Sequence, residues 1–138
     1  MLGFVPYRKE HAMVMDAIEP GGDLSIFAFR ERHPATTAVN EDGKPIVCFG
    51  VTPYWEGMVE VWAVFDEDAK KEVRDIVKYT HAFFDDLSQR FRRIQADVVD
   101  GNETAIRFVE HFGFKREGVM RKYSPLGEDV IRYARVSA

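Results

Sequence analysis

The sequence predicts a mixed α+β fold of about seven strands and about four helices. Three observations carry that reading. Residues 36–64 switch from a helical to a two-residue apolar period, residues 66–91 hold a long stripe at steps of three and four, and the chain closes on a strand–helix–strand–strand tail.

The elements follow in chain order. Leu2–Val5 is a short apolar strand ended by Pro6, and Arg8 to Ile18 forms a helix with Val14, Met15 and Ile18 on one face. Pro20-Gly21-Gly22 breaks the chain, Asp23 caps a second helix from Leu24 to about Arg32, and Pro34 stops it. Thr36–Val39 and Ile46–Val51 flank Asn40-Glu41-Asp42-Gly43-Lys44, where Asp-Gly signals a hairpin. A second turn at Glu56-Gly57 leads into Met58–Val64, where Val59, Val61 and Ala63 alternate with Glu60, Trp62 and Val64.

The long helix spans Asp66 to Phe91, with Ala69, Val73, Ile76, Val77, Thr80, Phe83, Phe84, Leu87 and Phe91 on its apolar stripe. Its ends carry charges that suit the helix dipole: Asp66, Glu67 and Asp68 at the start, Arg90, Arg92 and Arg93 at the finish. Ile94–Val99 is a strand. Asn102 caps a helix running to Phe112, and Gly113 supplies its left-handed stop. Phe114–Tyr123 and Asp129–Val136 are the last two strands, joined around Pro125-Leu126-Gly127.

The composition narrows the function. A chain of 138 residues with 46% hydrophobic and 30% charged residues is expected to be one soluble, intracellular domain, 1–138, with a core of its own. A formal charge of −4 argues against nucleic-acid binding through bulk charge. No apolar run approaches a membrane span, so no membrane association is expected. Cys48 is the single cysteine, which excludes a disulfide framework and a cysteine-built zinc site. His11, His33, His81 and His111 form no i,i+4 pair, so no metal is expected.

The tail carries a more specific signal. Asn102, Ala105, Ile106, Arg107, Phe108, Glu110, Gly113, Phe114, Glu117 and Gly118 stand at spacings similar to a segment of the GCN5-related N-acetyltransferases, the GNAT superfamily, and Arg121, Asp129 and Tyr133 extend the likeness. The match covers about 35 residues; elsewhere the element order agrees. The resemblance implies a three-layer arrangement around a mixed, mostly antiparallel central sheet. It also implies transfer of an acetyl group from acetyl-CoA to an amine, either a small amine or a protein N-terminus.

Three devices come with it. The first is a glycine-rich loop after the fourth strand, whose N–H groups close on the coenzyme's diphosphate. Here Val64, Phe65, Lys70 and Lys71 take that place in a stretch with no glycine and three carboxylates. The second is a tyrosine acid on the Asn-capped helix. The matching position is Val109, and Tyr123 is the nearest alternative phenol. The third is a base on the fourth or fifth strand, for which Glu60 and Asp97 are the candidates. Asn102 is an ordinary helix cap or a contact to the pantetheine arm.

Each of these residues also has a plainer reading. Glu60 would face solvent or pair with an arginine on the next strand, Asp66–Asp68 would be a helix cap, and Trp55 and Trp62 would cover the sheet. The eroded loop keeps a second hypothesis open: a non-catalytic GNAT-fold scaffold similar to small bacteriophage proteins, some associated with virion assembly. The enzyme is expected in the cytoplasm and the scaffold in a virion, with a phage or other protein as partner. A homodimer is left open.

Overall fold

The computed structural model describes residues 2–15 and 29–137. Seven strands form one sheet in the order β1-β2-β3-β4-β5-β7-β6. They are β1 (Gly3–Pro6), β2 (Ala35–Val39), β3 (Pro45–Trp55), β4 (Met58–Phe65), β5 (Arg93–Val99), β6 (Lys115–Met120) and β7 (Val130–Val136). Three helices accompany them among the described residues: α1 (Lys9–Met13), α2 (Val73–Arg90) and α3 (Glu103–His111). The chain divides into two compact units, Met1–Thr52 with Trp62–Thr80, and Pro53–Val61 with His81–Ala138.

In the first unit β1 pairs antiparallel with β2, from Gly3↔Val39 to Pro6↔Thr36. Pro6 is the last residue of the strand and pairs with Thr36, which a proline can do on an edge strand that needs no N–H on its open side. The expected helix over Arg8–Ile18 is shorter: α1 ends at Met13, and Val14 caps it. Residues 16–28 lie outside the described residues, and with them most of the expected second helix; Phe29 and Arg30 are helical at its end.

The β2–β3 hairpin forms as its sequence predicts. Asn40 Oδ1 accepts from the N–H groups of Asp42 and Lys44, and Gly43 turns at φ 79°. Gly50 is held to glycine by space: a Cβ there would stand 2.7 Å from the Pro34 carbonyl oxygen. Two apolar clusters form this unit's core, one of Tyr7, Ala12, Met15, Cys48 and Val64, the other of Leu2, Ala38, Ile46, Val47 and Ala69.

The expected helix at Asp66 opens differently. Asp66 caps a tight 3-10 segment, Glu67–Glu72, by accepting the Asp68 N–H at 2.9 Å, and the α-helical hydrogen bonding starts only at Val73. Val73, placed on the apolar stripe by its spacing, is exposed.

In the second unit β5 pairs antiparallel with β7 from Arg93↔Val136 to Val99↔Val130, and β6 pairs with β7 through a bulge at Arg116/Gly118. This register separates two faces. Ile94, Ala96 and Val98 share one face with Ile131, Tyr133 and Arg135. Helices cover it: Tyr133 donates its hydroxyl to Glu110 of α3 at 2.9 Å, and Arg135 reaches Asp85 of α2. Phe84, Leu87, Phe112 and Phe114 fill the space beneath them. Asn102 Oδ1 accepts the Ala105 N–H, and Gly113 adopts φ 85° past the helix end, both as expected. Arg93 belongs to β5 and pairs with Glu117 of β6, so it does not serve the dipole of α2.

Candidate functional site

The opposite face of the second unit's strands is polar. Arg93, Gln95 and Asp97 point there from β5 and Arg132 from β7, and Glu60 joins them from β4 through its pairing with Gln95. The β4–β5 ladder is parallel and has three rungs, Met58↔Arg93, Val59↔Ile94 and Glu60↔Gln95, so Glu60 stands on the last one. Beyond it β5 runs on to Val99 without further pairing to β4 among the described residues.

Glu60 is half-buried, and its two oxygens are held by neutral donors. Gln95 Nε2 donates to Oε1 at 3.1 Å and the Tyr54 hydroxyl to Oε2 at 3.1 Å. The expected arginine partner is absent from these bonds. Burial raises the Glu60 pKa above its ordinary value, and the charge of Asp97 adds to the effect. Burial likewise pushes the Tyr54 hydroxyl up to about 12, with Glu60 as its second cause, so it stays a donor at neutral pH.

Asp97 has a different environment. Arg132 grips it with two bonds of 3.0 Å, a fork-to-fork pair that engages both Asp97 oxygens. Its hydrogen bond to Asp97 raises the Arg132 pKa further. Tyr123 is exposed on the β6–β7 connection, near enough to Tyr54 and Arg132 to influence both electrostatically.

Tyr54 and Gln95 escaped the sequence reading. The signal for Gln95 was available, since a glutamine inside an apolar strand, two residues before Asp97, falls on the same face. Nothing local marks Tyr54. Several residues of the tail segment prove to be structural: Glu110 accepts from buried Tyr133, Glu117 holds Arg93, and Asp129 accepts the Lys122 N–H in the β6–β7 turn.

The turn after β4 belongs to the first unit. Val64 is buried, and the partly buried Phe65 packs against the cluster of Leu2, Ala38, Ile46, Val47 and Ala69. The three carboxylates expected to leave a negative patch are each paired. Lys44 Nζ lies 3.1 Å from Asp66 and 2.9 Å from Asp68, Lys71 lies 3.4 Å from Asp68, and Lys70 lies 2.8 Å from Glu67. Lys44 comes from the distant hairpin, and no local pattern marks it as a partner.

Seven mostly antiparallel strands with their helices give the chain the fold of the GNAT acetyltransferases. The sequence profile of the acetyltransferase (GNAT) domain matches residues 47–131, and the chain belongs to this family. No curated protein sequence matches it. Solved structures of the same fold include the ribosomal-protein-S18-alanine N-acetyltransferase from Escherichia coli, 19% identical over 99% of this chain and 94% of that one, with a TM-score of 0.74. Ard1 from Thermoplasma volcanium is 13% identical over 99% and 98% of the two chains at a TM-score of 0.77. A phosphinothricin acetyltransferase from Sinorhizobium meliloti in complex with AcCoA is 14% identical over 98% and 88% at 0.63.

The family generally binds acetyl-CoA. The Asn102 Oδ1 is fixed by the Ala105 N–H, while its Nδ2 is buried with no hydrogen-bond partner. In the turn at 66–72 the fully buried Asp66 carboxylate accepts the Asp68 N–H. Among the described residues, no group of three metal-ligating side chains stands close enough to hold a metal ion, and no helix is long and apolar enough to cross a membrane.

Proposed function

We propose that this chain is an N-acetyltransferase in which Glu60 is the general base toward an amine, either a small amine or a protein N-terminus. One observation carries the reading: the half-buried Glu60 carboxylate is held by two neutral donors and by no cation in direct contact. A carboxylate paired with arginine would be too weak a base. One raised by burial comes closer to the working pH, where general-base catalysis is most effective. Gln95 and Tyr54 fix both oxygens in direction, and each oxygen keeps a lone pair for the proton of the incoming amine. The thioester donor, when bound, supplies the acetyl group.

The test is release of free thiol from acetyl-CoA against a panel of primary amines and short peptides. Glu60→Gln should keep the hydrogen-bonded shape and lower kcat/KM by about 10²–10⁴-fold. Wild-type kcat/KM should rise with pH through a limb above the ordinary glutamate range, because the raised pKa keeps Glu60 protonated below it. Glu60→Gln should remove that limb. An undiminished Glu60→Gln enzyme refutes the assignment.

A second reading is favoured by the turn at Asp66: a non-catalytic GNAT-fold interaction protein whose partner, of phage or other origin, replaces the substrate. Thermal melting with 1 mM acetyl-CoA separates the two. A ligand at a thousandfold excess over Kd stabilises by about 4 kcal/mol, a shift on the order of 10 °C at this size. No shift with any acyl donor supports the scaffold.

A further inference from the structure

Gln95 could present either end of its side-chain amide to Glu60, and the two ends have opposite effects. The nitrogen donates to the carboxylate and stabilises its charge, whereas the oxygen would repel that charge and accept from the protonated acid. Which end faces Glu60 is decided on the far side of the amide. Arg93 Nε and Nη2 donate to Gln95 Oε1 at 3.2 and 3.1 Å. A guanidinium has donors only, so the amide oxygen must face it. That leaves Nε2 for Glu60 Oε1, at 3.1 Å. The guanidinium is itself held along a second edge, where Nη1 and Nη2 donate to Glu117 Oε2 and Oε1 at 2.9 and 2.6 Å. Glu117 lies at the bulge of β6, beyond β7 in the sheet order, and the β7 residue opposite Gln95 is the small Ala134. Glu117, Arg93, Gln95 and Glu60 thus form one chain of hydrogen bonds inside the second unit.

We propose that Arg93 is a positioning residue for Glu60: by holding the Gln95 oxygen it makes the amide meet the carboxylate with its nitrogen, and Glu117 holds Arg93 in place. This deepens the assignment of Glu60 as the base and rests on it. Without Arg93 the amide is free to turn over, and the protonated acid then gains an acceptor that the wild type denies it. The Gln95 bond also works against the rise that burial gives the Glu60 pKa, so its reversal must send that pKa higher. The other charged and titratable groups at Glu60 do not depend on Arg93. They are Tyr54 from β3, Asp97 from β5 and Arg132 from β7, with Tyr123 acting on Tyr54 and Arg132.

Two readouts on the full chain test this: carbon-13 NMR titration of the Glu60 carboxyl, assigned with Glu60→Gln, and the pH profile of kcat/KM with acetyl-CoA and an amine. Arg93→Met should raise the Glu60 midpoint by about half a pH unit or more, and the kinetic limb should move with it. Arg93→Lys keeps a cationic donor for the Gln95 oxygen and should return the midpoint most of the way to wild type. Gln95→Leu should raise the midpoint as well, and adding Arg93→Met to it should raise it no further, because Arg93 acts through Gln95. A wild-type measurement covers the case in which Arg93→Met fails to fold. The Gln95 amide proton signals, assigned with Gln95→Leu, should shift with the Glu60 midpoint.

An unmoved midpoint in folded Arg93→Met overturns the proposal, and so do amide protons indifferent to the Glu60 titration. An equal rise from Arg93→Met with and without Gln95 overturns it too, since Arg93 would then act by its charge alone. Midpoints that move as expected without turnover of any amine leave the positioning standing and remove the base assignment. A kinetic limb that Glu60→Gln abolishes and Arg93→Met leaves in place removes the positioning and keeps the base.

Discussion

Phe112→Ala is the sharpest stability test of how the second unit is built. Phe112 is 4% exposed and closes α3 onto the sheet. Its ring stands edge-on to Phe84 at 5.6 Å, to Phe108 at 4.8 Å and to His81 at 4.7 Å. Truncating a buried phenylalanine costs about 3–5 kcal/mol, from lost transfer energy and the cavity left behind. The three edge contacts push the value toward the upper end, at roughly 0.5–1.5 kcal/mol per aromatic pair. Collapse of the cavity would lower it, but Phe84 is also held by Phe114 at 5.1 Å and cannot easily move over. A loss of about 4 kcal/mol with a urea slope of 1–3 kcal/mol/M lowers the midpoint by more than about 1 M. Phe108 is only half-buried, so Phe108→Ala should cost less, about 1–3 kcal/mol. Urea denaturation followed by tryptophan fluorescence and circular dichroism gives both numbers. A Phe112→Ala midpoint close to wild type, or a larger loss from Phe108→Ala, would show that α3 does not seat on this cluster.

Two further outcomes follow from buried and paired groups. Cys48 is fully buried and its thiol is pushed up to about 11 by burial, so it should resist alkylation at pH 8 in the folded protein and react promptly in denaturant. Asp68 is held below the ordinary carboxylate range by its hydrogen bond to Lys44, and Glu117 by its bond to Arg93. Their stabilisation is therefore present above the ordinary carboxylate pKa and lost as pH falls through the lowered values. Thermal melts should drop on acidification below about pH 4, and Asp68→Asn should flatten that decline.

Local chemistry was legible in the sequence. Asn102 capped α3, Gly113 ended it, and Asn40 with Gly43 closed the hairpin, because each feature depends on residues within four positions. Strand alternation placed Val59 and Val61 in the core for the same reason. What stayed hidden depends on partners far along the chain. Lys44 reaches Asp66 and Asp68 from another hairpin, and Gln95 reaches Glu60 across 35 positions. Periodicity tells which side of a strand a carboxylate occupies, and nothing about what waits there. At the helix start Asp66 is the cap its sequence suggests, but the segment it opens is a 3-10 turn over Glu67–Glu72 and the α-helix begins at Val73.

The polar face shows how two carboxylates of one sheet come to differ. Glu60 and Asp97 were equal candidates for the base, and both lie on that face. Arg132 forks onto Asp97 with two 3.0 Å bonds, which occupy both carboxylate oxygens. Glu60 receives only an amide and a phenol, donors that orient a carboxylate without neutralising it. The fixed charge of Asp97 then acts on Glu60, adding to burial in raising its pKa, while Arg132 opposes the rise least of all the contributing groups. A carboxylate held in an ion pair can thereby tune its neighbour on the same face. Evicting Arg132 would strengthen that influence, and giving Glu60 an arginine of its own would abolish it. The arrangement of partners, rather than the choice of acid, therefore sets the two carboxylates apart.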